Sequence, residues 1–98
     1  MAIEGSRKVA LVTGSARGLG KAIAQALAAQ GKALMLVDVL ADRLEQTRAE
    51  LEAAGTPCAA FATDISRRDN CRAAVDAALA AYGRLDVLMN AAGIMPFN

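Results

Sequence analysis

Three glycines, Gly14, Gly18 and Gly20, fall within the eight residues Thr13-Gly-Ser-Ala-Arg-Gly-Leu-Gly20. An apolar run precedes this segment and a helical pattern follows it, so the glycines sit where a strand turns into a helix. Gly14 permits a sharp exit from the strand, Gly18 lets backbone come close to a ligand, and Gly20 lets the helix pack tightly on the sheet. A helix N-terminus presents unpaired N–H groups and a partial positive charge, which suits a diphosphate. Ser15, Arg17 and Leu19 lie in the same loop. Three glycines alone fit an ordinary strand–helix turn equally well. The strand before, the helix after and an acid downstream favour nucleotide binding.

That acid is Asp38, 18 residues after Gly20 and at the end of a second apolar run. A carboxylate there can accept hydrogen bonds from the hydroxyls of an adenosine ribose, and it repels a 2′-phosphate. The plainer role is a cap for the following helix. Arg17 points the other way, because a cation in the loop could reach a 2′-phosphate, although it could equally be a solvated side chain. On balance the residues predict NAD as cofactor, with NADP less favoured. A P-loop is excluded, since Ser15 stands where that motif needs glycine and Ala22 where it needs a magnesium-binding hydroxyl. The chain has no His and two Cys, Cys58 and Cys71, in neither a CxxC pair nor a disulfide framework. No cluster has metal-ligand spacing, so no metal is expected, and no catalytic residue can be named.

The elements that must position these residues follow from alternating periodicity. Lys8–Thr13 and Ala33–Asp38 read as strands apolar on both faces, as in a sheet covered by helices on both sides. Cys58–Ala62 and Asp86–Met89 read as a third and a fourth strand. A helix over about Gly18–Gln30 carries Leu19, Ala22, Ile23, Ala26 and Leu27 on one face and stops at Gly31. A second helix, about Ala41–Ala54, aligns Leu40, Leu44, Thr47, Leu51 and Ala54. Ser66 and Asp69 suggest a capping box opening a third helix, whose buried face is Cys71, Ala74, Val75, Ala78, Leu79 and Tyr82 and which stops at Gly83. The order βαβαβαβ predicts a Rossmann-type α/β fold, a parallel sheet of order 3-2-1-4 with three helices and right-handed crossovers. Ligands bind such sheets at the switch point, here between the first and fourth strands.

These residues together resemble the short-chain dehydrogenase/reductase family, over essentially the whole chain. Thr13–Gly20 is similar to its TGxxxGxG cofactor motif, and Asp64-Ile65 to its adenine-pocket acid with an apolar neighbour. Gly83-Arg-Leu-Asp-Val-Leu-Met-Asn-Ala-Ala-Gly93 is similar to the strand leading into its NNAG motif, with Ala91 in place of the second Asn. The resemblance implies that Gly14, Gly18 and Gly20 hold the pyrophosphate, with Ser15 and Arg17 lining the loop. It implies Asp38 at the adenosine ribose, Asp64 and Ile65 around the adenine, Asn90, Ala91 and Gly93 along the cofactor wall, and Ile94 near the nicotinamide ribose. Asp64 could instead serve the dipole of the third helix, and Asn90 could bond its own turn.

The family's chemistry uses a Ser, a Tyr-x-x-x-Lys pair and a further Asn from its later half. None can be carried over: Tyr82 is the single tyrosine, it lies on an apolar helical face, and Asp86 stands four residues on. One helix cannot cover four strands, so the doubly wound fold is expected to be incomplete and its fourth strand an open apolar edge. The 98 residues therefore read as one NAD(P)-binding domain, the N-terminal, truncated part of a longer enzyme moving hydride between NAD(H) and a carbonyl/alcohol substrate. The rival reading is a catalytically inert nucleotide-binding or interaction module that uses the exposed sheet edge, where oligomers could also form. Composition agrees with either. Apolar residues are 55% of the chain, with 24 alanines suited to helices packed close to a sheet. No run approaches the roughly 18 apolar residues of a membrane span, and Met1–Lys8 has no apolar core of a signal peptide. The net charge of +1 offers no basic or acidic tail for nucleic acid or lipid. A reduced, cytoplasmic setting is the expectation.

Overall fold

A computed structural model describes residues 7–91. The elements run β1 (Val9–Thr13), α1 (Gly18–Ala29), β2 (Ala33–Asp38), α2 (Ala41–Ala53), β3 (Cys58–Ala62), α3 (Arg68–Tyr82) and β4 (Val87–Asn90). The four strands are parallel in the order β3-β2-β1-β4, so the predicted Rossmann-type topology is present. The register sets Thr13 beside Val37 and Asn90, and Asp38 beside Ala62. The carboxyl ends of all four strands thus open on one side.

The pleat divides the strand residues between two apolar layers. Ala10, Val12, Leu34, Leu36 and Cys58 pack with Ala24 of α1 and with Leu44 and Leu51 of α2. Leu11, Met35 and Val37 point to the opposite face and meet Ala74 and Ala78 of α3. Tyr82 closes the far end of that layer against Val9 and Ala33, and its hydroxyl donates to the Leu34 carbonyl at 2.9 Å. Burial pushes the Tyr82 phenol up to about 12. It does the same to the Cys58 thiol, also to about 12.

Small residues fix how the helices rotate onto the sheet. In α1, Gly20 and Ala24 are buried with Ala28 half-buried, while Leu19, Ala22 and Ala26 of the expected face are exposed, Leu19 to 50%. The helix turns so that its glycine–alanine row makes the close approach, leaving Ile23 and Leu27 on the flank of the core. In α2 the face holds at Leu44, Thr47 and Leu51, but Ala54 is exposed at the helix end.

In α3 the row Ala74–Ala78–Tyr82 is buried, and Cys71 and Leu79 are exposed, with Val75 between these extremes. The row 71–75–79 is displaced sideways because the alanine row packs onto Leu11, Met35 and Val37 of the sheet. It faces toward β4, whose Leu88 stands uncovered on the same side at 57% exposure. Among the described residues, α3 is the helix on that face, and it does not cover Leu88.

The start of α3 also departs from expectation. Its first turn begins at Arg68 with no side-chain cap. The Asp64 carboxylate accepts the Ser66 N–H at 3.0 Å, and the Asn70 amide donates to the Asp64 carbonyl at 2.9 Å. A carboxylate two residues upstream closes a tight local turn and takes the place of the Ser66/Asp69 box. These bonds to Ser66 hold the Asp64 carboxyl below its ordinary value.

Candidate functional site

The segment between β1 and α1 turns sharply at Gly14, with φ at 66°, and again at Gly18, with φ at 61°. Both angles lie in the left-handed region that side chains with a Cβ adopt at a cost. Gly20 is needed for space: a Cβ there would collide with the Gly14 carbonyl, whereas one on Gly18 would meet nothing. The loop therefore folds back until helix backbone touches strand-end backbone. Lys21 N–H donates to the Arg17 carbonyl at 3.3 Å as the helix begins. The N–H groups of its first residues have no partner within the helix.

This loop forms one wall of a cleft of about 420 Å³, lined by Gly14, Arg17, Gly18, Leu19, Gly20, Asp38, Val39, Leu40 and Ala91. The cleft lies at the carboxyl ends of β1, β2 and β4, at the switch point of the sheet. Of the residues singled out in the sequence, seven meet here. Asp38 is held from two sides: one oxygen accepts the Ala16 N–H at 3.0 Å and the other the Leu40 N–H at 3.1 Å. The second bond closes a tight turn ahead of α2, whose N-cap Leu40 receives no side-chain cap, so the plainer expectation that Asp38 caps this helix is not met.

The other candidates are placed differently. Ser15 is fully buried, and Val37 N–H donates to its hydroxyl at 3.1 Å, which ties the loop to β2. Asn90 bonds across the sheet end, accepting from the Thr13 hydroxyl at 2.7 Å. With Ile65, Cys71, Val75 and Leu88 it lines a smaller groove of about 130 Å³ on the α3 side. Asp64 is exposed after β3 and is engaged in the turn before α3. Gly93 and Ile94 lie outside the described residues.

Sequence reasoning passed over Val39 and Leu40 as cleft walls, although an apolar pair directly after a strand-end acid is the signal for them. Among the described residues no cluster of three or more His, Cys, Asp or Glu could hold a metal ion, and no helix is long and apolar enough to cross a membrane.

A doubly wound parallel sheet with a glycine cradle at its switch point and an acid at the end of its second strand defines a dinucleotide-binding class of protein. The comparison with known proteins makes this specific: residues 8–98 match the family model for short chain dehydrogenase, and the chain belongs to that family. D-threitol dehydrogenase of Mycolicibacterium smegmatis is 42% identical over 87 residues, covering 89% of this chain and 34% of the relative. A diacetyl reductase of Staphylococcus epidermidis is 39% identical over 87 residues, again covering 89% of this chain and 34% of the relative.

Among solved structures, a short-chain dehydrogenase/reductase from Burkholderia phymatum in complex with NAD superposes with a TM-score of 0.82 at 38% identity, covering 88% of this chain and 31% of that one. An alcohol dehydrogenase from Thermococcus sibiricus complexed with 5-hydroxy-NADP gives a TM-score of 0.79 at 37% identity, covering 85% of this chain and 36% of that one. The chain thus spans about a third of the length of the curated relatives it matches.

Proposed function

We propose that this chain is the cofactor-binding part of an NAD-dependent short-chain dehydrogenase/reductase. The observation that carries the reading is the cleft in which the Gly14–Gly20 cradle and Asp38 share one wall system. The residues present fit a dinucleotide. The collision that a Cβ on Gly20 would cause marks a backbone brought as close as it can come, and the open N–H groups of α1 suit a pyrophosphate. Gly14, Gly18 and Gly20 hold that group, with Arg17 and Leu19 beside it and Ser15 anchoring the loop from behind. Asp38 accepts from the adenosine ribose, since each carboxylate oxygen keeps a lone pair beyond its one backbone bond. Val39 and Leu40 offer an apolar wall to the base, with Asp64 and Ile65 beyond. Ala91 in the cleft and Asn90 in the neighbouring groove are assigned to the nicotinamide side, and the family resemblance assigns Gly93 and Ile94 to the same end of the cofactor.

Bound there, the dinucleotide supplies hydride exchange, and the enzyme to which this chain contributes acts on a carbonyl/alcohol pair. Asp38 favours NAD over NADP because its carboxylate opposes a 2′-phosphate, and Arg17 on the same cleft reduces that preference without reversing it. Asp38→Ala tests the assignment. The variant is expected to lose affinity for NAD by more than for NADP in a direct titration, and an equal loss for both removes the ribose role.

A further inference from the structure

Ala16 sits at the centre of the glycine loop, between the buried Ser15 and the cleft-lining Arg17. It is gripped at both ends. Its N–H donates to the Asp38 carboxylate at 3.0 Å, and its carbonyl accepts from the Thr47 hydroxyl at 3.1 Å. Thr47 belongs to α2, lies 31 residues away in sequence and is 1% exposed. It stands on an otherwise apolar face between Leu44 and Leu51, both packed in the core below the sheet. The same hydroxyl also approaches the Arg43 carbonyl of its own helix at 3.2 Å, so its one proton is shared between a helix carbonyl and the loop.

We propose that Thr47 is a positioning residue for the phosphate-binding loop: its hydroxyl fixes the Ala16 peptide and so sets where the first N–H groups of α1 point. This rests on the dinucleotide reading above. The helix carbonyl alone would satisfy a hydroxyl on α2 in the usual i−4 manner. A partner so far away in sequence ties the second crossover to the cradle. The Ala16 carbonyl is buried at this contact, and a buried carbonyl stripped of its donor is driven to move toward another partner. Because Asp38 holds the N–H of the same residue, the two peptide units flanking the Ala16 Cα are both fixed, one from the end of β2 and one from α2.

The test compares wild-type chain, Thr47→Ser and Thr47→Val, the last nearly isosteric but without the hydroxyl. Amide hydrogen exchange is followed at the hydrogen-bonded loop amides of Ser15, Ala16 and Lys21, with Leu11 and Leu36 as core references, and NADH binding is titrated by fluorescence. Loss of one hydrogen bond of ordinary strength corresponds to about a fivefold change. Thr47→Val is expected to speed exchange at Ala16 and its neighbours by about that factor and to weaken NADH similarly, with core exchange unchanged. Thr47→Ser is expected to restore both.

Loop exchange unaltered in Thr47→Val overturns the proposal. So does acceleration spread equally over loop and core, or a Thr47→Ser variant that behaves like valine. If wild-type chain fails to bind NADH, the dinucleotide reading falls, while the exchange comparison still decides whether Thr47 holds the loop.

Discussion

Single atoms decide the shape of the cofactor cradle. A methyl group on Gly20 has no room beside the Gly14 carbonyl, whereas one on Gly18 has room but must accept a φ of 61°. Gly18→Ala is therefore expected to cost about 1–2 kcal/mol through its backbone angle alone. Gly20→Ala should cost more, because overpacking by about 1–3 kcal/mol acts on rigid backbone. Urea denaturation of the two variants measures the difference, and a larger loss for Gly18→Ala would show that conformation outweighs space. The two thiols offer a second test at this scale. Cys58 is buried with its pKa raised to about 12, and Cys71 is exposed. Iodoacetamide at pH 8 is expected to alkylate Cys71 in the folded chain and to reach Cys58 only after denaturant is added, which peptide mass mapping reads directly.

Among the elements, strands were easier to read than helix orientation. The runs Ala33–Asp38 and Cys58–Ala62 agree residue for residue with β2 and β3, because a strand buried between two helical layers is a short apolar block whatever packs on it. Helix rotation depends on which neighbour comes closest. Gly20, Ala24, Ala74 and Ala78 win that contest over the bulkier Leu19 and Leu79 because small residues let a helix approach the sheet, and hydrophobicity alone ranks them the other way. The glycine cradle was legible since its geometry is local. Thr47 could be placed on the buried face of α2 but not joined to the loop, because its partner is distant in sequence.

The ends of elements also carry a pH dependence. Asp86 precedes β4, accepts the Val9 N–H of β1 at 2.9 Å and pairs with Arg84 at 2.7 Å. The Arg84 guanidinium and the Val9 N–H hold its carboxyl below the ordinary 3.8. A lowered folded value means a contribution present above pH 3.8 and lost as pH falls through the folded value. Asp86→Asn is expected to flatten the acid limb of the stability curve below pH 4 in circular dichroism titrations, where an unchanged limb would deny the pairing its role. At the alkaline end Cys58 and Tyr82 have raised values, so stability falls as pH climbs from about 9 toward 12.

For the molecule as a whole, the glycine loop and Asp38 are brought to one cleft by a chain covering about a third of its relatives' length. The exposed Leu79 and Leu88 beside the small groove form an apolar flank on the α3 side of β4 among the described residues. On the proposed reading, the cleft between the glycine loop and Asp38 takes a dinucleotide with an unphosphorylated adenosine ribose. Calorimetric titration of the chain with NAD and with NADP tests it most directly. Both are expected to bind, NAD the tighter; absence of binding, or a preference for NADP, overturns the dinucleotide assignment.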